Sequence, residues 1–108
     1  MSDASALVAL VTCPPDRADA IARALVEARV AACVNVVPAI ASTYRWKDEV
    51  CRDDEALLII KTRRERFEDL KREVLRVHPY ELPEVIALDV AAGHAPYLAW
   101  IAANTTDP

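Results

Sequence analysis

The order of helical and strand-like segments is the feature that most restricts the fold of this chain. Apolar residues recur at helical spacing over residues 16–29 and, most clearly, over 63–77, and a last helix is predicted after Pro96. Strand-like apolar patterns occupy residues 6–11, 33–37 and, beyond an interruption at Pro38, 43–46, and then 56–60 and 85–90. The order β-α-β-β-α-β, followed by a helix, predicts a ferredoxin-like split βαβ fold. This is an α+β arrangement with both crossover helices on one face of an antiparallel sheet.

Composition sets the number of domains and excludes several functions. The 108 residues fit one domain, 1–108, with an ordered core over about 6–103, and the chain is long enough to fold without a metal ion or a disulfide. The single glycine, Gly93, excludes phosphate-binding glycine loops and the nucleophile elbow of hydrolases. Because the net charge is −4, we do not expect the protein to bind nucleic acid.

The cysteines and the apolar runs indicate the compartment. Cys13, Cys33 and Cys51 are odd in number and have no paired spacing, which predicts free thiols in a reducing environment. Residues 1–5 lack the positive charge of a signal peptide, and no apolar run is long enough to cross a membrane. We therefore expect a cytoplasmic protein with no membrane partner.

Local patterns predict how the elements begin and turn. Asp48 tolerates the left-handed conformation that a tight hairpin turn requires, and Pro38 predicts a bulge or a sheet edge. Thr62 and Glu65 have the spacing of a capping box for the second long helix. The five acids within residues 48–55 do not match a calcium loop, and we interpret them as a solvated hairpin tip.

The loop over residues 78–81 is the most distinctive candidate site. It places an imidazole, a phenol and a carboxylate within four residues that include Pro79. One interpretation is that these groups bind a cation or a small ligand. The other is that the prolines direct the chain and that His78 caps the preceding helix. The residues alone leave both interpretations open.

Two further positions have a functional and a structural interpretation. Cys13 lies between a strand and a helix start, a position that lowers a thiol pKa and favours soft metals, although buried cysteines are also packing residues. Tyr44 and Trp46 share one strand face and either line a ligand cleft, form a subunit interface or pack internally. Cys33 lies in an apolar strand and is predicted to be part of the core. The sheet face opposite the helices needs a cover, which an oligomer would provide.

Five stretches together carry a family resemblance. They are residues 11–14 (VTCP), 31–35 (AACVN), 44–46 (YRW), 60–62 (IKT) and 78–84 (HPYELPE). In this order and spacing the chain resembles the CutA divalent-cation tolerance proteins over about residues 6–103. The resemblance implies a ferredoxin-like homotrimer, similar in architecture to PII signalling proteins, with sheets joined edge to edge. It also implies binding of divalent metal such as copper, which folding does not require, and no catalytic activity.

The resemblance also implies which residues form the site. Cys13 and His78 match the family's copper ligands, Glu81 is a possible addition, and Val77 replaces the first histidine of the family's pair. The alternative is a PII-like signalling or scaffold trimer that binds a small anionic ligand or a partner protein in its subunit clefts. The residues that would line such a cleft are Tyr44, Trp46, Lys61 and Tyr80.

Overall fold

A four-stranded antiparallel sheet organises the chain. The computed structural model describes residues 5–107, so residues 1–4 and 108 of the predicted domain lie outside the described residues. The strands are β1 (Ala6–Cys13), β2 (Cys33–Trp46), β3 (Glu49–Arg63) and β4 (Ile86–Asp89), and the helices are α1 (Ala18–Glu27), α2 (Phe67–Val77) and α3 (Ala95–Ala103). The strand order β2-β3-β1-β4, with all pairs antiparallel, confirms the predicted ferredoxin-like fold.

One face of the sheet packs against α1 and α2. Alternate side chains of β1 point to this face, since successive residues of a strand project to opposite sides. The core contains Ile21, Leu25, Leu70 and Val74 from the helices, and Ala9, Val11, Cys13, Ala56, Leu58 and Ile60 from the sheet. Burial of each large aliphatic side chain contributes about 1.5–3 kcal/mol, so this layer supplies most of the stability.

Within the described residues, the opposite face of the sheet is covered only at one end. Leu98 and Ile101 of α3 pack there against Ala6 and Ala32. On β4, which the sequence predicted to be a buried strand, Ile86 and Leu88 are 51% and 57% exposed. The prediction of burial was wrong because β4 is an edge strand, and α3 covers the face opposite α1 and α2 only near Ala6 and Ala32. We call the uncovered surface around these side chains the open face.

The hairpin of β2 and β3 is the longest feature of the fold. β2 is one strand of 14 residues, and its pairing with β3 shifts between Val37 and Ile40, which confirms the irregularity predicted at Pro38. Lys47 and Asp48 form the two-residue turn with φ angles of 51° and 68°. The left-handed conformation predicted for Asp48 is therefore confirmed, and the turn matches the right-handed twist of the strands.

Two local predictions were wrong. Thr62 does not cap α2: its hydroxyl donates to the carbonyl of Val30 at 2.8 Å, because Thr62 is a buried residue of β3, and a short 3₁₀ turn precedes the helix. Cys33 does not belong to the helix-packed core. It is only half-buried, because it lies opposite Lys61 of β3 and its side chain points to the sheet face away from α1 and α2.

The ordered chain continues past residue 103, where the predicted core ends. Thr105 is fully buried, and its hydroxyl donates to the carbonyl of Ile101 at 2.9 Å. Within residues 5–107, no helix has the length and the apolar character needed to cross a bilayer.

Candidate functional site

Four polar side chains meet where β1 ends. Cys13 is the last residue of β1 and pairs with Ala56 of β3, next to Glu55. The loop after α2 brings His78 and Tyr80 to the same place: the His78 ring contacts the Thr12 carbonyl, and the Tyr80 phenol contacts Glu55. We call Cys13, Glu55, His78 and Tyr80 the β1-end cluster.

The His78 ring uses both of its nitrogen atoms. Nε2 lies 2.8 Å from the carbonyl oxygen of Thr12, which only accepts hydrogen bonds, so Nε2 carries the proton and donates. Nδ1 accepts from the backbone N–H of Tyr80 at 3.1 Å. His78 also ends α2, and its own N–H donates to Val74. The ring is thus a neutral imidazole that joins α2, β1 and the loop.

Tyr80 connects this imidazole to a buried carboxylate. Its phenol donates to Oε2 of Glu55 at 2.8 Å, and its ring lies 4.7 Å from that of His78. Burial and then the hydrogen bond to Glu55 raise the pKa of Tyr80 above its ordinary value near 10. Glu55 itself is only 6% exposed, so assigning it to a solvated hairpin tip was wrong. The one feature of the sequence that could have indicated its burial is its position directly before the apolar run at residues 56–60.

Cys13 is not an activated thiol. It is fully buried, and burial, followed by the charge of Glu55, raises its pKa above the ordinary value. The opposite shift was expected from a helix start directly after Cys13. A 3₁₀ turn over Pro15–Arg17 separates Cys13 from α1. The cost of desolvating a thiolate therefore outweighs any lowering of the pKa by the N-terminus of the helix.

Glu81 does not complete a metal site within one chain. Its side chain is exposed in the loop after α2, while Cys13 is buried. Over residues 5–107, no group of three or more His, Cys, Asp and Glu side chains is placed to hold a metal ion. Thiol, imidazole and carboxylate groups can all bind borderline metals. Of the three predicted ligands, Cys13 and His78 lie at the end of β1, and Glu81 does not join them.

Within one chain, Lys61 lies apart from the other predicted cleft residues. Tyr44 donates its hydroxyl to the Asp53 carboxylate, and this bond, ahead of the other effects, raises the pKa of Tyr44 to about 12. Trp46 lies beside the hairpin turn, with the Lys47 ammonium 5.7 Å from its ring centre. Lys61 contacts the side chain of Asn35 and lies six residues along β3 from Glu55, which is about 20 Å.

Comparisons with known proteins point to one family. The sequence model described as "CutA1 divalent ion tolerance protein" matches residues 7–104. The divalent-cation tolerance protein CutA of Thermus thermophilus is 50% identical over 99 residues, covering 91% of this chain and 96% of that protein. The CutA homolog of Xenopus laevis is 52% identical over 94 residues, which are 86% of this chain, but this match covers only 62% of that longer protein.

Solved structures give the same result. CutA1 from Oryza sativa superimposes with a TM-score of 0.93 at 38% identity, covering 99% of this chain and 100% of that chain. A structure described as the PII-like protein CutA from Nostoc sp. PCC 7120 superimposes with a TM-score of 0.89 at 36% identity. The match covers 94% of this chain and 99% of that chain.

The Tyr80–Glu55 contact yields a test of stability. Tyr80→Phe removes the donor of a buried carboxylate, so we expect a loss of about 1–2 kcal/mol in the free energy of unfolding at neutral pH. Urea denaturation measures this loss. Tyr44→Phe is the matched control, since the Tyr44–Asp53 contact is exposed and its removal has a much smaller effect. Equal stability of the wild type and Tyr80→Phe would contradict this role of the contact.

The same pair predicts a pH dependence. A phenol whose pKa is raised in the folded state contributes stability below pH about 10, and this contribution is lost as the pH rises through the folded-state pKa. The wild type should therefore lose stability above pH about 10, and Tyr80→Phe should lose less of it.

Proposed function

Since the chain belongs to the CutA1 divalent ion tolerance family, we propose that it is a non-catalytic homotrimer that binds divalent cations such as copper, weakly, at Cys13 and His78. Glu81 adds a carboxylate if its loop folds back toward His78. We expect folding not to require the metal, because the chain packs an extended apolar core between its sheet and helices. We place the protein in the cytoplasm, a reducing compartment, in keeping with its three free cysteines.

The contact between His78 and Thr12 is the observation that carries the metal proposal. It holds the imidazole one residue from Cys13, so a soft donor and a borderline donor lie at the same end of β1. The carboxylate of Glu55 lies near Cys13 as well and adds negative charge there. A cation entering this place meets two ligand types that metals such as copper and zinc accept.

The same geometry predicts weak binding. A metal must displace one of the two hydrogen bonds of the His78 ring and remove the proton of a buried thiol. Because burial raises the pKa of Cys13, the thiolate is scarce at neutral pH, and binding must release a proton. The affinity should therefore increase with pH.

Calorimetric titration tests the metal proposal. Cu²⁺ is one probe, and Zn²⁺ is a second probe that undergoes no redox reaction with the thiols, so it is titrated with reductant present. We expect His78→Ala and His78→Gln to bind about ten-fold more weakly than the wild type, and the wild type to bind more tightly at pH 8 than at pH 6. Gln provides a polar side chain at this buried position if Ala weakens the fold.

His94→Ala is the matched control for the titration. His94 is the only other histidine of the sequence and is exposed before α3, far along the chain from Cys13. The His94→Ala variant should bind metal as the wild type does. Equal binding by the wild type and both His78 variants would overturn the assigned site.

The uncovered parts of the sheet support the trimer. Ile86 and Leu88 expose an apolar surface, and the strand order leaves β2 and β4 as free edges. Free edges offer unpaired backbone groups to another chain. If β2 of one copy meets β4 of the next, the contact is heterologous, and three copies close it into a ring without free edges.

Native mass spectrometry tests the trimer. We expect a mass three times the chain mass of 11.9 kDa. Leu88→Lys places a charge on the open face and should shift the population toward monomers. Leu75→Lys is the control, because Leu75 is 52% exposed, close to the 57% of Leu88, but lies on α2. A monomeric wild type, or a Leu88→Lys protein that stays fully trimeric, would contradict the proposal.

A second candidate function is ligand binding in clefts between subunits. Lys61 favours it: this cation lies beside apolar strand residues, and its described partner is the neutral amide of Asn35. A small anionic ligand, or an acidic group of a partner protein, would neutralise it. Tyr44 and Trp46 lie too far along the hairpin to join Lys61 within one chain, and Tyr80 contacts Glu55, about 20 Å along β3 from Lys61. This cleft therefore requires the trimer. The Nostoc protein described as PII-like has the same fold.

A thermal-shift screen with carboxylate and phosphate metabolites tests the second candidate. A ligand that binds only the folded state raises the melting temperature, by an amount set by its concentration relative to Kd. The shift should disappear in Lys61→Gln and persist in Lys71→Gln, since Lys71 lies on α2 and pairs with Glu68. A shift that survives Lys61→Gln would remove Lys61 from the site.

A further inference from the structure

We propose that residues 104–107 form a strap whose docking on three arginines holds α3 closed over one end of the sheet and limits access to the Cys33 thiol. This is a conformational device separate from the metal and ligand proposals. The three arginines, Arg29, Arg63 and Arg66, come from three different parts of the fold: the turn after α1, the end of β3 and the 3₁₀ turn before α2.

Arg29 holds the middle of the strap. Its Nε donates to the carbonyl of Thr106 at 3.1 Å, and its Nη2 donates to the Thr106 hydroxyl at 3.2 Å and to the Ala103 carbonyl at 3.4 Å. Each bond has a charged donor, which strengthens it relative to a neutral one. The helix layer is thereby tied to the end of α3.

Arg63 and Arg66 hold the strap on either side. Arg63 donates to the hydroxyl and the carbonyl of Thr105, at 2.9 and 3.0 Å. Arg66 donates to the carboxylate of Asp107 at 2.5 Å. Thr105 is fully buried, so the strap is a packed element and not a surface tail. Its release would leave Thr105 without these partners.

The backbone of Arg29 is a second, independent observation. Its φ angle is 63°, the left-handed conformation that usually calls for glycine after a helix. A side chain in this conformation is disfavoured, and such strain persists where the surroundings require it. The three contacts of the Arg29 guanidinium account for an arginine at this position, since a glycine would relieve the strain and lose all of them.

The docked strap keeps α3 on the sheet. Leu98 and Ile101 bury Ala6 and Ala32, and the Tyr97 phenol lies near the Cys33 thiol. Burial and then Cys33 raise the pKa of Tyr97. Trp100 stacks on Tyr97 at 5.5 Å and stays exposed. Opening of the strap would therefore loosen Tyr97 and expose Cys33, without disturbing the core that contains Cys13.

Hydrogen exchange measured by mass spectrometry tests the strap. The variants are Arg29→Asn, which keeps a residue that tolerates the left-handed conformation, and Arg29→Asn combined with Arg63→Gln. We expect the amides of α3 to exchange about ten-fold faster in the double variant, with α1 and α2 unchanged. Arg23→Gln is the matched control, because Arg23 is an exposed α1 arginine that pairs with Glu27 on the same helix.

Alkylation by iodoacetamide, with peptide mapping, gives a second readout. Cys33 should react faster in both strap variants, while Cys51 on the hairpin and Cys13 in the core keep their wild-type rates. Unchanged α3 exchange and Cys33 reactivity in the double variant would overturn the proposal. Equal acceleration at Cys13 and in α1 would mean global destabilisation and would also overturn it.

Discussion

The pairing of β1 with β3 is the interaction on which the rest of the structure depends. Every residue of β1 has a partner on β3, and half of them also have one on β4. Because side chains alternate along β1, this one strand separates a face that α1 and α2 cover from a face that is mostly open. The buried face supplies the stability. The open face exposes apolar side chains, and the sheet ends in two free edges. These two features support a trimer.

The candidate site depends on the point where β1 stops. His78 reaches this point because α2 ends there, and its ring ties the Thr12 carbonyl to the loop that carries Tyr80. Tyr80 then ties the same loop to Glu55 on β3. The result is a rigid group of three hydrogen donors. One is the imidazole of His78, and the others are the Cys13 thiol and the Tyr80 phenol, whose pKa values burial raises. Any cation that binds here must compete with protons and with internal hydrogen bonds.

Much of the fold follows from local patterns. Helical spacing at residues 63–77 and apolar runs such as 6–11 predict the elements and their order, and the five family stretches predict the family, which the comparisons confirm. Apart from the burial predicted for β4, the predictions that were wrong concern single residues with two possible environments. Thr62 has a capping pattern but lies inside the sheet, and Glu55 belongs to an acidic run but is buried by the Tyr80 loop.

The sequence alone determined the split βαβ order, the family and the chemical types of the site residues, because periodicity and short motifs are local properties. Only the tertiary structure decided which of those residues meet. It brought the His78 ring to the carbonyl of Thr12, the residue before Cys13. It also kept Lys61 about 20 Å from Glu55, and it brought Arg29 to Thr106 across 77 positions of the chain. Such contacts depend on how layers pack and where strands end, and no spacing within the sequence specifies them.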